Sequence, residues 1–265
     1  MAAQLVHHPL YHPSYSLGQK IFARIWAFWG LVSFVISFLV IILPAYLTSF
    51  VPDPKGMSLF IKVSKIWMRF WLNIVACPVR VVGKNHFVRG TTYVVTCNHN
   101  ALLDVPLSSP FIPGANKTIA KKDFVRIPLF GWFYQRGSVI VDRDSDASRR
   151  KSFEGMKNAL EKGFHMCIYP EGTRNKTAAP LKKFYEGAFR LATDTGHDII
   201  PAVILNTRKA LPATQSFFFL PQKLEIHFLA PISSQNKSAE TLMAQVYATM
   251  QAYYCQHMGL DLPAN

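Results

Sequence analysis

Residues 96–106 read TCNHNALLDVP, and within them His99 and Asp104 stand five positions apart between an apolar run and a proline. A carboxylate that hydrogen-bonds one imidazole nitrogen leaves the other able to take a proton, which is what general-base chemistry needs. Strand ends also carry such pairs for packing reasons alone, so this spacing leaves both readings open. Residues 137–144, GSVIVDRD, place Arg143 just past another apolar run. Its guanidinium suits an anion, or a surface pairing with Asp142 or Asp144. Residues 168–175, IYPEGTRN, bring Glu171, Gly172, Thr173 and Arg174 together behind Pro170. Packing explains that succession poorly: glycine lets backbone N–H groups approach a ligand, and arginine makes bidentate contacts to phosphate.

The elements that must hold these residues follow from the apolar pattern. Short β-branched runs at 80–82, 92–97, 118–120, 138–141, 166–169, 199–204 and 224–229 read as strands. Helical patterns near 122–134, 145–163, 182–195 and 237–256 alternate with them. This alternation predicts an α/β fold, a mixed and largely parallel sheet flanked by helices. In such sheets function gathers beyond the C-terminal ends of strands, where all three stretches fall.

Upstream the texture differs. No charged residue occurs from Ile25 to Phe50, long enough to cross about 30 Å of hydrocarbon, and Pro44 is expected to kink or end that helix. The apolar run is too long and too far in for a cleaved leader. Trp26 and Trp29 stand where an interfacial aromatic belt is expected. A second helix after PDPKG carries the polar stripe Ser58, Lys62, Lys65, Arg69 and Asn73 opposite Phe60, Ile61, Trp67, Phe70, Trp71 and Ile74. That pattern suits a helix lying among lipid headgroups, or an amphipathic helix packed on the following domain. We expect a leader and membrane-associated helical hairpin over 1–76, dipping into one leaflet, and an α/β domain over 77–265. His7, His8 and His12 belong to the polar leader.

Composition agrees with a lipid setting. The chain has 29 Lys and Arg against 15 Asp and Glu, a net charge of +14, and half its residues are hydrophobic. A basic, oily chain favours anionic lipid over nucleic acid as partner. Cys77, Cys97, Cys167 and Cys255 are widely spaced, which suggests neither a zinc site nor a disulfide framework but reduced, cytosol-facing core thiols. There is no glycine-rich nucleotide motif.

NHNALLD (98–104), VIVDR (139–143), PEGTR (170–174) and IIPAVI (199–204), in this order, resemble the glycerolipid acyltransferase family, and within it the bacterial lysophosphatidic acid acyltransferases. AKKDFVRIPLFGW (120–132) is similar to the segment these enzymes carry between the first two motifs. The resemblance implies acyl transfer from a thioester, on coenzyme A or acyl carrier protein, to the sn-2 hydroxyl of lysophosphatidic acid, giving phosphatidic acid. His99 would be the base and Asp104 its orienter. Glu171 would position the acceptor, and Arg143, Arg174 and Lys121 or Lys122 would neutralise its phosphate. The Gly172–Thr173 backbone is the candidate oxyanion donor. The resemblance implies no metal and no cofactor, and an inner-membrane enzyme whose site faces the cytoplasm. LKKFYEGAF (181–189) departs from the family by placing Tyr185 after Phe184, with Lys182 or Lys183 left to supply a positive charge. This departure keeps open a different acceptor, such as lyso-ornithine lipid. A non-enzymatic basic membrane-binding protein would leave the ordered motifs without a reason.

Overall fold

The structure is a computed structural model that describes residues 15–141, 146–177 and 179–261, apart from the side chains of Lys121, Asp146, Ala147 and Arg149. His7, His8, His12 and Arg143 lie outside the described residues. The strands are β1 (Val79–Val82), β2 (Val94–Cys97), β3 (Asn116–Lys121), β4 (Ser138–Val141), β5 (His165–Ile168), β6 (Ile199–Leu205) and β7 (Leu224–Phe228). The α-helices are α1 (Leu17–Leu47), α2 (Lys55–Ile74), α3 (Asp104–Ser108), α4 (Phe130–Arg136), α5 (Asp146–Glu161), α6 (Gly187–Thr195), α7 (Thr207–Ala210) and α8 (Ala239–Met258).

All seven strands form one sheet in the order β1-β7-β6-β2-β5-β3-β4. Neighbours pair in parallel except β6 with β7, which are antiparallel. The central strands are buried on both faces, β6 at every position, which is why they read as continuous apolar runs rather than as alternation. One face packs the α5, α6 and α8 side chains Met156, Leu160, Phe189 and Val246. The other packs Trp67, Trp71 and Leu72 of α2 with Leu107 and Phe111.

Two expected helices are shorter than their patterns. The segment from Lys122 forms a 3-10 turn to Arg126, and α4 begins only at Phe130, because Pro128 and the positive φ of Leu129 (60°) break the chain between them. Residues 182–186 are not helical. Their backbone serves the site instead: Lys182 N–H donates to Glu171 Oε2 at 3.0 Å and Tyr185 N–H to Pro170 O at 2.9 Å.

The N-terminal helices form a hairpin. Ser16 and Gln19 make a reciprocal cap at the start of α1, and Pro44 sits in the last turn, ahead of the end at Leu47. Only a narrow stripe of α1 is buried (Ala23, Gly30, Ser33, Phe38, Ala45), and Leu31, Ile36, Val40 and Leu43 stand exposed. By length and composition α1 could cross a membrane. The α2 tryptophans do not sit where a headgroup-layer helix would show them. Trp67 and Trp71 are each 5% exposed, and their indole N–H groups donate to Ser37 Oγ (3.0 Å) and to Gly30 O and Ser33 Oγ (both 3.2 Å). Trp26, expected at an interface, donates to Val75 O at 3.1 Å, while Trp29 is exposed. The Trp67 and Trp71 side of α2 is therefore covered by α1 and the sheet domain, while Phe70 and Ile66 stay exposed. At the α1–α2 turn, Asp53 takes a two-pronged ion pair from Arg136 of α4 (3.0 and 2.7 Å), which holds its carboxyl below the usual range.

Candidate active site

The site lies at the C-terminal edge of the central strands. Asn98 follows β2 directly, and its side-chain amide continues the β2–β6 ladder: Nδ2 donates to Ile204 O (2.9 Å) and Oδ1 accepts from Ile204 N–H (2.6 Å). His99 is the next residue, fixed at the point where the strand stops being a strand.

His99 Nδ1 lies 2.8 Å from Asp104 Oδ2. The carboxylate only accepts, so Nδ1 carries the proton and Nε2 is the basic nitrogen. Asp104 is wholly buried at the first turn of α3, where the helix dipole favours a negative charge. Oδ2 also accepts from the backbone N–H groups of Asn100 (2.5 Å) and Ala101 (2.7 Å), so the loop is wrapped around the carboxylate. Oδ1 is buried with no partner among the described residues. The His99 side chain keeps 18% of its surface open, and its Nε2 makes no hydrogen bond among the described residues.

The PEGTR turn packs against this loop, and its residues serve in ways the sequence did not suggest. Glu171, expected to face the acceptor, is buried, and both its oxygens are taken by backbone: Oε1 by His99 N–H (2.7 Å) and Oε2 by Lys182 N–H (3.0 Å). Burial pushes its carboxyl up to about 7 against the pull of those two donors. The amides expected to hold an oxyanion are engaged within the turn: Gly172 N–H donates to Tyr169 O (3.0 Å) and Thr173 N–H to Glu171 O (2.8 Å). Gly172 has φ 69°, so a side chain there would strain the turn. Asn175 N–H donates to His99 O at 2.6 Å, closing turn and loop into one unit.

Cations gather around this unit. Arg174 is half-buried and has no ion pair among the described residues. Lys182 Nζ lies 2.6 Å from Thr173 Oγ1, whereas Lys183 is exposed. Lys121 ends β3 and the exposed Lys122 opens the turn beyond it, on the same edge of the sheet as His99. β4 ends on that edge too, two residues before Arg143.

Sequence reasoning missed Arg208 and Tyr169. Arg208 of α7 donates to Asn100 Oδ1 (2.8 Å) and Thr177 O (2.9 Å), tying the two loops together. No motif signals it, because it falls beyond the end of the IIPAVI run. Tyr169 packs against His99 with ring centroids 4.5 Å apart and planes tilted by 36°. An aromatic residue ahead of Pro170 was visible, but its partner was not. A cleft of about 370 Å³ lies apart from the motifs, lined by Arg80, Lys209, Glu225, His227, Tyr253 and His257 among others. Its groups bond one another, His227 bridging Glu225 and Tyr253 at 2.8 Å each. All four cysteines are buried and free, with Cys97 and Cys167 Sγ atoms 3.7 Å apart beneath the site. No cluster of three His, Cys, Asp or Glu residues able to hold a metal occurs among the described residues.

Comparison with known proteins fits this geometry. A family model described as acyltransferase matches residues 78–205. A 1-acyl-sn-glycerol-3-phosphate acyltransferase of Cocos nucifera is 29% identical over 193 residues, covering 72% of this chain and 60% of that protein. Its namesake in Saccharomyces cerevisiae is 28% identical over 175 residues, covering 64% and 56%. The match thus spans less than two thirds of each of these relatives. The crystal structure of the 1-acyl-sn-glycerophosphate acyltransferase from Thermotoga maritima superposes with a TM-score of 0.74 at 20% identity, covering 90% of this chain and 96% of that one, and shares its fold. The residues matched by the acyltransferase family model, 78–205, take in the His99–Asp104 pair, the PEGTR turn and strands β1 to β6 of the sheet.

Proposed function

We propose that the protein transfers a fatty acyl group from a thioester, on coenzyme A or acyl carrier protein, to the sn-2 hydroxyl of lysophosphatidic acid, giving phosphatidic acid. The observation that carries this reading is the His99–Asp104 pair, 2.8 Å apart, with Nε2 open and Nδ1 held. In the proposed reaction Nε2 takes the proton of the acceptor hydroxyl as its oxygen attacks the thioester carbonyl. Asp104 keeps the proton on Nδ1 and stabilises the imidazolium. Collapse of the tetrahedral intermediate breaks the C–S bond, and the imidazolium returns the proton to the leaving thiolate. No acyl-enzyme and no cofactor is needed.

Arg174 and Lys182, with Lys122 and Lys121 on the same edge of the sheet and Arg143 two positions beyond β4 in sequence, are the proposed cations for the acceptor phosphate. Tyr185, the departure that motivates a lyso-ornithine acceptor, is 68% exposed, and Lys182 meets Thr173 without it. This favours the phosphomonoester. The exposed apolar side of α1 supports membrane association, proposed at the inner membrane with the site toward the cytoplasm.

Purified protein offered lysophosphatidic acid and other lysolipids, each with acyl-coenzyme A and with acyl carrier protein thioester, tests the reading. Turnover preferring the phosphomonoester, lost in His99→Ala, is expected. Equal rates with acceptors lacking that phosphate, or full activity in His99→Ala, would overturn it.

A further inference from the structure

The His99 ring is held in two ways, and the sequence pointed only to the first. Asp104 holds Nδ1 at 2.8 Å. A ring bonded at a single atom can still rock about that bond and swing Nε2 away from its target. Tyr169 closes this freedom, because its ring lies over the imidazole with centroids 4.5 Å apart and planes inclined by 36°. Alternation along the adjacent strands β2 and β5 turns Cys97 and His99 to the same side as Cys167 and Tyr169.

The tyrosine is itself anchored. Its hydroxyl lies 2.6 Å from Ser108 Oγ, and the Cys167 thiol donates to the same serine oxygen at 3.7 Å. Ser108 is the last residue of α3 and Asp104 the first, about one turn apart, so one side of a short helix faces both holders of the ring. We propose that Tyr169 is a positioning residue for His99, anchored by Ser108, that fixes the direction of Nε2 and lays an aromatic face against the imidazolium formed in the reaction. A cation over an aromatic face is stabilised, so the support is greatest in the charged form.

This inference rests on His99 being the base, and its test separates the two. Steady-state kinetics with lysophosphatidic acid and acyl-coenzyme A are measured for the wild type, His99→Ala, Tyr169→Leu, Tyr169→Phe, Ser108→Ala and the double variant Tyr169→Phe/Ser108→Ala. Tyr169→Leu is expected to lower kcat about 100-fold, as a misplaced group does, with KM for both substrates within about twofold. Tyr169→Phe keeps the ring and so avoids most of that loss. It and Ser108→Ala are each expected to lose about fivefold, and the double variant no more than either single one, since both remove the same hydrogen bond. Normal kcat in Tyr169→Leu with His99→Ala inactive overturns this inference alone. So does a raised KM with kcat unchanged, which would make Tyr169 a wall of the binding site. Should Tyr169→Leu fail to fold, additive losses in Tyr169→Phe and Ser108→Ala overturn it equally. A wild type without turnover on any lysolipid overturns both readings.

Discussion

The backbone N–H of His99 donates to Glu171 Oε1 at 2.7 Å, so the residue carrying the imidazole hangs from the acid of the PEGTR turn. That acid is buried, and its carboxyl is pushed up to about 7. A carboxyl raised in the folded state keeps its proton where the unfolded chain has lost it. Its contribution to stability is full below about 4.5 and is lost as pH rises to about 7. Thermal unfolding followed by circular dichroism from pH 4.5 to 8 should show a falling midpoint across that window. In Glu171→Gln the fall should be shallower. An unchanged slope would mean that the carboxyl titrates normally.

Asp104 accepts three hydrogen bonds on one buried oxygen. Asp104→Ala removes that acceptor. We expect kcat to fall by about 100-fold or more, and stability by about 1–3 kcal/mol because backbone donors lose their partner. Single-turnover rates and chemical denaturation of the same sample read the two effects separately. Loss of stability with kcat intact would remove Asp104 from the mechanism.

Lys182 and Lys183 are sequence neighbours in unlike places: Nζ of Lys182 lies 2.6 Å from Thr173 Oγ1, while Lys183 points to solvent. Lys182→Ala should raise KM for lysophosphatidic acid roughly tenfold, the worth of a charge-assisted contact, and Lys183→Ala should leave it within about twofold. Equal effects of the two would reduce the contribution to general surface charge.

On α1, Val40 is 73% exposed and Phe38 is 6% exposed. Val40→Lys should leave the thermal midpoint unchanged but move the protein from vesicle pellet to supernatant in a sedimentation assay. A charge on the lipid-facing side of an apolar helix costs about 2.5–3.5 kcal/mol at the bilayer centre. Phe38→Lys should instead unfold the hairpin. Retention of Val40→Lys on vesicles would place the membrane contact elsewhere.

At Gly30 an added Cβ would come within 2.8 Å of the ring of the buried Phe219. Gly30→Ala should therefore cost about 1–3 kcal/mol by overpacking, visible as a lower denaturation midpoint. Gly18→Ala, with open space around it, serves as the control.

Much of the architecture was readable because apolar periodicity is a direct record of burial. Each of the seven expected strands appears within a few residues of its run. The expected positions of His99 just past a strand and of Asp104 in a first helical turn also match, since a strand end and a helix start are local signals. What the sequence could not supply was the identity of the partner across space. The apolar face of α2 was evident, but whether lipid or protein covers it depends on α1 folding back, and Trp67 and Trp71 bond to α1. Glu171 looked like a ligand because nothing in PEGTR says that the N–H groups of His99 and Lys182 will reach it first. Tyr169 and Arg208 were missed for the same reason. Their roles are contacts across long stretches of chain, with His99 for the tyrosine and, 108 positions away, with Asn100 for the arginine.

The strand order has a further consequence. β2, which delivers His99, is the fourth of seven strands, between β6 and β5, while β1 and β4 form the margins. Marginal strands open first in native-state fluctuations and central ones last. Amide hydrogens along Val94–Cys97 should therefore exchange among the slowest in the molecule, and those of β1 and β4 far sooner. Partial loosening at the rims, through membrane contact or mild heating, would leave the geometry around His99 intact until the whole sheet gives way.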